Sequence, residues 1–436
     1  MILFYLLGSV ILIILLSTKF KFHPVSSLIS VSFILGLLLK IEVLDIIKFI
    51  FDGVINSILG IGLIIFFSCV IGQCLKQSSS LNLFSQLILK TFKDKTLSSL
   101  NIIGLFIGSV VFCDSAFLVL SGITKTISST ASYSLNSLNI SLAGGLYTSH
   151  NLIPPTPGPI AILNNFNSME LIGDTIIYGF LVSIPSSLIS LIFASKIINK
   201  TKIKINYKSD ISYRKVFLPF LVIFIPLLII SINTITELIG FNLSREQIEN
   251  IKTLSNPNFA LFVGMSLSFF LPQVRNIKKL IFLESIKDFY PIIFLTSAGS
   301  AFGNIIKNSD LIEFLPLFFG NIDINLLNIC LISFILGAII KTSQGSSTSA
   351  MIISSSLIFP LISQLHLEAF GIIMTTLSIG AGSMMISHVN DSYFWIVSKK
   401  SDMSLKNSLM YFSTMTVFQS IGTFLFIIFL VKINSL

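Results

Sequence analysis

Long apolar runs, broken at a few places by clusters of small, polar and proline residues, set the pattern of this chain. The runs cover residues 2–17, 25–39, 54–75, 102–120, 172–194, 216–239, 259–271, 292–305, 326–340, 351–365, 370–386 and 409–431. Most approach or exceed the ~18 residues a helix needs to cross a bilayer, and several are shorter. None shows the ten-residue alternation of an outer-membrane barrel. The pattern predicts an all-α polytopic membrane protein with about 12 transmembrane segments.

Composition agrees. Of 436 residues 53% are hydrophobic and only 11% charged, where soluble domains carry about 25% charged residues. The mean hydropathy is +0.92. No basic residue precedes the first run and no small-residue cleavage motif follows it, so it reads as a retained helix. Cys69, Cys74, Cys113 and Cys330 sit inside apolar segments without ligand spacing, which predicts small core residues, no disulfide framework, no metal and no cofactor. The net charge of +9 resides in short loops beside the spans. It points to a cytoplasmic loop signature and to lipid, not to nucleic acid.

Loop charges also give an orientation. Lys19 and Lys21, then Lys90, Lys93 and Lys95, the stretch 196–215, Arg275, Lys278 and Lys279, and Lys399, Lys400 and Lys406 mark inside. The segments 42–52 and 240–257, and Asp310, Glu313 and Asp323, fit outside, which leaves both termini outside. Two halves then resemble one another in opposite orientation. GQCLKQSSSL (72–81) pairs with GNIIKNSDL (303–311), and TSHN (148–151) with ISHVN (386–390). The reading is two inverted repeats, 1–205 and 206–436, joined by a basic cytoplasmic linker at 196–215, the arrangement of a secondary transporter.

Four places interrupt segments that should span. SVVFCDSAF (109–117) brings Asp114 to membrane depth, where a carboxylate costs about 3 kcal/mol unless it is paired or wet. TSHNLIPPTPGP (148–159) holds Pro154, Pro155, Pro157 and Pro159. They must unwind the chain, and a helix restarts at Ile160. KTSQGSSTSA (341–350) and GAGSMMISHVNDSYFW (380–395) complete the set. Unwound backbone at membrane depth marks a cavity. Helices restarting there aim positive N-terminal ends into it, and a small anion is the simplest occupant. Lys341 can face that anion or snorkel to the surface, and Asp114 can be an ion-pair partner or a substrate or proton group. His150 and His388 read as lining the site, whereas His23 and His366 read as ordinary residues near span ends.

The stretches TSHNLIPPTPGP, QGSSTSA (344–350) and GSMMISHVNDSYFW (382–395) resemble the gluconate permease family of proton-coupled sugar-acid symporters, within the ion-transporter superfamily. The likeness runs through nearly the whole chain. It implies a multi-pass permease of the bacterial inner membrane, carrying gluconate or a related small hydroxy-carboxylate with a proton. It further implies a homodimer with scaffold and transport domains and an elevator-like movement. This chain departs from the family pattern with Asp114 where Glu is frequent, Lys341 where Arg is usual and Thr156 where His is common. Glycerate, another aldonate or serine therefore stay open as substrates, and a sodium-coupled carrier or antiporter is the alternative.

The expected site holds the carboxylate between the helix ends at Thr156, Pro157 and Gly158 and at Gly345, Ser346 and Ser347, with Lys341 adding charge. Ser149, Asn151, Gln344, Ser346 and Asn390 would bond substrate hydroxyls. Asp114 or Asp391 would carry the proton, with His150 or His388 as alternatives, since a free imidazole titrates at about pH 6.5. No nucleophile–base pair and no soluble catalytic domain accompanies them, so an enzyme is not expected.

Overall fold

The computed structural model of the chain describes residues 2–78, 80–83, 85, 95–130, 133–197, 213–239, 244–272, 274–309, 325–365 and 367–434. Among them there is no strand, as expected where lipid offers the backbone no hydrogen bonds. Seventeen helices are labelled in chain order: α1 (Ile2–Thr18), α2 (Pro24–Leu38), α3 (Val43–Gln77), α4 (Thr96–Gly108), α5 (Cys113–Thr130), α6 (Leu135–Leu152), α7 (Pro157–Asn165), α8 (Ile172–Lys196), α9 (Tyr213–Ile239), α10 (Arg245–Leu254), α11 (Pro257–Ser268), α12 (Lys278–Lys307), α13 (Leu326–Gln344), α14 (Ser347–Leu365), α15 (Ala369–Gly382), α16 (Ser392–Lys400) and α17 (Leu405–Asn434).

Among the described residues, seven stretches, in α3, α8, α9, α12, α13, α14 and α17, are long and apolar enough to cross a membrane, and α2, α4 and α15 are shorter apolar helices. The run 102–120, expected as one broken span, is two helices, because the chain leaves helical geometry between Gly108 and Cys113. The proline break also differs from expectation. α6 continues through His150 to Leu152, and α7 begins at Pro157 and not at Ile160. Pro fits the first turn of a helix, where its missing N–H would have no partner. Only 153–156 is unwound, with a cis bond between Pro154 and Pro155. Residues expected as an outside loop, Asp45, Lys48 and Asp52, instead lie on α3, with Asp45 in its first turn, where the helix dipole favours an acid. Lys90, Lys93, the linker residues 198–212, Asp310, Glu313, Asp323 and His366 lie outside the described residues.

The packing partners repeat between the halves. α4 lies on α6 as α13 lies on α15, and α6 lies on α8 as α15 lies on α17. Close approach in the first kind of pair is secured by glycine. A Cβ at Gly104 or Gly145 would strike the backbone of the facing helix, and so would one at Gly337 or Gly382. The halves also exchange contacts: α7 packs on α14 of the second half, and α16 packs on α5 of the first. α3 with α12, α6 with α15 and α8 with α17 also pack against one another.

The long pair α3 and α12 is joined by polar bonds in an apolar setting. The Gln73 amide donates to Asp288 Oδ2 (2.6 Å), and the Asn304 amide donates to the Phe49 carbonyl (2.7 Å). Such bonds hold helices together where lipid supplies no hydrophobic drive.

Candidate functional site

Each break places a short non-helical segment between helices. At the first, α5 begins with Cys113 and carries Asp114 in its first turn. Ser392, the first residue of α16, donates its hydroxyl to Asp114 Oδ2 at 2.9 Å. At the third, Gly345 joins α13 to α14 with φ of 81°, a left-handed geometry that suits glycine. Ser346 caps α14 by accepting from the Ser349 N–H at 3.2 Å.

The fourth break, 383–391, is tied at every turn. Ser387 N–H donates to Thr416 (3.1 Å), and Ser413 donates to the Ser387 carbonyl (2.5 Å). His388 Nε2 donates to the Thr342 carbonyl (2.9 Å), since a carbonyl can only accept. The Asn390 amide donates to the carbonyls of Thr342 (2.9 Å) and Ser343 (3.1 Å). Both side chains thus satisfy carbonyls that the end of α13 leaves open.

Lys341 is fully buried. Its ammonium donates to Asp391 Oδ2 at 2.7 Å and to the Gly345 carbonyl at 2.5 Å, and it lies 5.7 Å from the Tyr147 ring centre. Asp391 also accepts from the Ser387 hydroxyl and, through Oδ1, from the Tyr393 N–H (3.0 Å), which caps α16. A buried pair held by this many bonds is one in which each charge is spoken for.

These segments enclose a cavity of about 450 Å³. Its walls are Phe112, Cys113, Asp114 and Ser115 of the first break, Tyr147 and His150 of α6, residues 344–348, residues 390–393, and Lys287, Asp288, Pro291 and Ile292 of α12. Three helix N-termini, of α5, α14 and α16, therefore open on one space, and their free N–H groups and dipoles favour negative charge there. Two of its wall residues hold buried polar atoms without partners: Nδ1 of His150 and both side-chain atoms of Gln344. Unpaired buried groups are costly, and at a cavity wall they await a ligand or water. Among the described residues the ion pairs are Lys287–Glu284 and Lys341–Asp391, and Asp114 belongs to neither.

Of the residues expected at the site, Asp114, His150, Gln344, Gly345, Ser346, Ser347, Asn390 and Asp391 line this cavity together. Lys341 and His388 stand behind its wall, bonded as described. Ser149, Asn151, Thr156, Pro157 and Gly158 are not part of it. Ser149 and Asn151 donate to carbonyls of neighbouring turns, Thr156 donates to the Ile153 carbonyl (2.6 Å), and Gly158 lies against Met351. Tyr147, Ser115, Thr348, Ser392, Tyr393, Lys287 and Asp288 line the cavity without having been singled out. Ser392 and Tyr393 directly follow the SHVND motif, and Lys287 and Asp288 interrupt the apolar helix α12, so both signals were present in the text of the chain. Among the described residues no three His, Cys, Asp or Glu side chains gather as metal ligands.

Comparison with known proteins places this geometry. The sequence profile of the GntP family permeases matches residues 1–433. The chain is 24% identical to a gluconate permease of Bacillus licheniformis over 94% of each chain. It is 25% identical to the D-serine transporter DsdX of Escherichia coli strain K12, over 96% of this chain and 97% of that one. The fold is similar to that of the Alcanivorax borkumensis YdaH transporter, with a TM-score of 0.63, 12% identity and 87% of each chain covered.

Proposed function

Because the chain belongs to the GntP family of permeases, it is a multi-pass membrane transporter and not an enzyme, and we propose that it carries a small hydroxylated carboxylate inward across the bacterial cytoplasmic membrane with a proton. Gluconate and D-serine, the substrates named for the two relatives, share a carboxylate and a hydroxyl, and that pair is the chemistry this cavity suits.

The observation that carries the reading is the charge of the cavity. Lys341 and Asp391 cancel one another and Asp288 accepts from the Gln73 amide, while Asp114, at the start of α5, is a carboxylate in neither ion pair. An anion drawn to the ends of α14 and α16 meets that charge, and a proton on Asp114 lessens the repulsion. Binding of the anion and of the proton then favour each other, which is coupling. Hydroxyls of the substrate would pair with the unsatisfied Gln344 amide and His150 Nδ1. Lys287 of α12, on the opposite wall, has its exposed ammonium paired with Glu284. The reading includes a homodimer in lipid and a displacement of the broken helices against α3 and α12.

The test is uptake of radiolabelled gluconate and D-serine into proteoliposomes under an inward proton gradient without sodium. Accumulation abolished by a protonophore is expected, and Asp114→Asn should bind substrate yet no longer accumulate it. Accumulation that requires Na⁺ at fixed pH would overturn proton coupling, and gradient-driven uptake by Asp114→Asn would remove Asp114 from the role.

A further inference from the structure

A second cavity, of about 160 Å³, lies along the same two helices as the first. Ser347 and Ile292 line the first, Ser356 and Ser300 the second. At a rise of 1.5 Å per residue these are steps of about 14 Å along α14 and about 12 Å along α12. Between the cavities the helices touch, since a Cβ at Gly299 would run into Ile352, and the Ser356 hydroxyl donates to the Gly299 carbonyl at 2.9 Å.

The second cavity is lined mostly by polar residues, with Phe359 and two glycines completing the wall. Asn56 and Ser57 of α3, Asn164 at the end of α7, and Asn304 and Lys307 of α12 face it. Asn165 fixes the wall: its side-chain Oδ1 accepts from the Ser300 hydroxyl (2.8 Å) and its side-chain Nδ2 donates to Ser355 (2.8 Å). Ser57 differs, because its hydroxyl is fully buried and has no partner, a state that costs about 1–3 kcal/mol when left unmade. The Lys307 ammonium lies 5.8 Å from the Phe359 ring centre and belongs to neither ion pair of the described residues. One cation with amides and hydroxyls around it is a set of groups for a hydroxylated acid.

Position adds a second argument. Along α12 the first cavity, at residues 287–292, lies towards the end that begins with Lys278 and Lys279, and the second, at residues 300–307, lies at the other end; on α3 the second cavity, at residues 53–57, lies in the half that begins with Asp45 in its first turn. By the bias of basic residues towards the cytoplasm, the two lie on opposite sides of the membrane midplane. We infer that the second cavity is a binding site for the carried hydroxy-carboxylate on the far side of the Gly299–Ile352 contact, with Lys307 taking the carboxylate and Asn56, Ser57 and Asn164 the hydroxyls. The inference rests on the proposed function, which supplies the ligand class.

Cysteine protection separates the two readings. In a background with the four native cysteines replaced, Thr348→Cys and Ser115→Cys report on the first cavity, and Gly303→Cys and Asn167→Cys, at wall positions given no part in holding the ligand, on the second. Purified protein is treated with a maleimide with and without gluconate or D-serine. At about ten times the dissociation constant, occupancy should slow modification about tenfold at both cavities. Lys307→Gln should abolish protection at Gly303→Cys and Asn167→Cys while leaving it at the first cavity. Protection confined to the first cavity would overturn this inference and leave the proposed function standing. Protection at Gly303→Cys that survives Lys307→Gln would overturn it too. Protection at neither would refute the substrate class, and the inference with it.

Discussion

The two breaks that end α6 and α15 follow helices with matching packing partners, α4 on α6 and α13 on α15, and are built from opposite materials. Between α6 and α7 the chain uses prolines. Each proline removes an N–H that would otherwise need a partner, so the segment can be buried dry. Thr156 turns back on the Ile153 carbonyl, and Gly158 closes on Met351. Between α15 and α16 the chain uses Ser387, His388, Asn390 and Asp391, whose many donors and acceptors must be met. They are met by the end of α13, by α17 and by Lys341. A break poor in donors makes a wedge, while a break rich in them makes a site wall. The comparison teaches that symmetry in the backbone need not carry symmetry of chemistry.

We predict that substitutions will sort by break. Asp391→Asn should have the largest effect, because it leaves the Lys341 ammonium buried without its partner, a loss of about 3–5 kcal/mol. Thermal unfolding in detergent measures it, and a Lys341→Met/Asp391→Leu double variant should regain most of the stability without regaining transport. Unchanged stability in Asp391→Asn would mean the pair does not hold the break. Gly345→Ala follows, at about 1–3 kcal/mol, since a side chain is strained at that φ and would strike the Asn390 backbone. The same unfolding assay should show it, together with reduced uptake.

His150→Leu tests the part of α6 that does reach the cavity. Loss of one substrate hydrogen bond, about 0.5–1.5 kcal/mol, should raise KM roughly 2- to 12-fold in the liposome assay, with stability unchanged or improved. Thr156→Val should be smallest, about 0.5–1 kcal/mol of stability for the lost bond to Ile153, with KM unaltered. A rise in KM for Thr156→Val would bring the proline break back to the substrate and dissolve the contrast.

Much of this was legible in the chain itself. Apolar length without strand alternation gave the helical class, because the bilayer admits only helices and closed barrels, and Pro154, Gly345 and the polar run before Asp391 marked three of the breaks by local backbone chemistry. Asp114 stood out because a carboxylate in an apolar run has few ordinary explanations. What could not be read was pairing at a distance. Lys341 and Asp391 are fifty positions apart and each looked free, since the sequence does not say which charges will consume one another. Nor did the near-repeat of TSHN and SHVN reveal that His150 ends a helix and faces the cavity while His388 sits in unwound chain and faces Thr342. A motif fixes residue type, whereas the register of the break, set four residues later by Pro154 and Pro155, decides where the side chain goes.

The exchange of α7 onto α14 and of α16 onto α5 has a consequence for how the protein is made. A chain emerges from the ribosome amino terminus first, so α5 and α7 enter the bilayer before the surfaces they will rest on exist. Asp114 and the proline break must wait in a half-built molecule until α14 and α16 arrive. Assembly is therefore a late step that closes both halves at once, and a truncated first half should be a substrate for membrane proteases, not a stable intermediate.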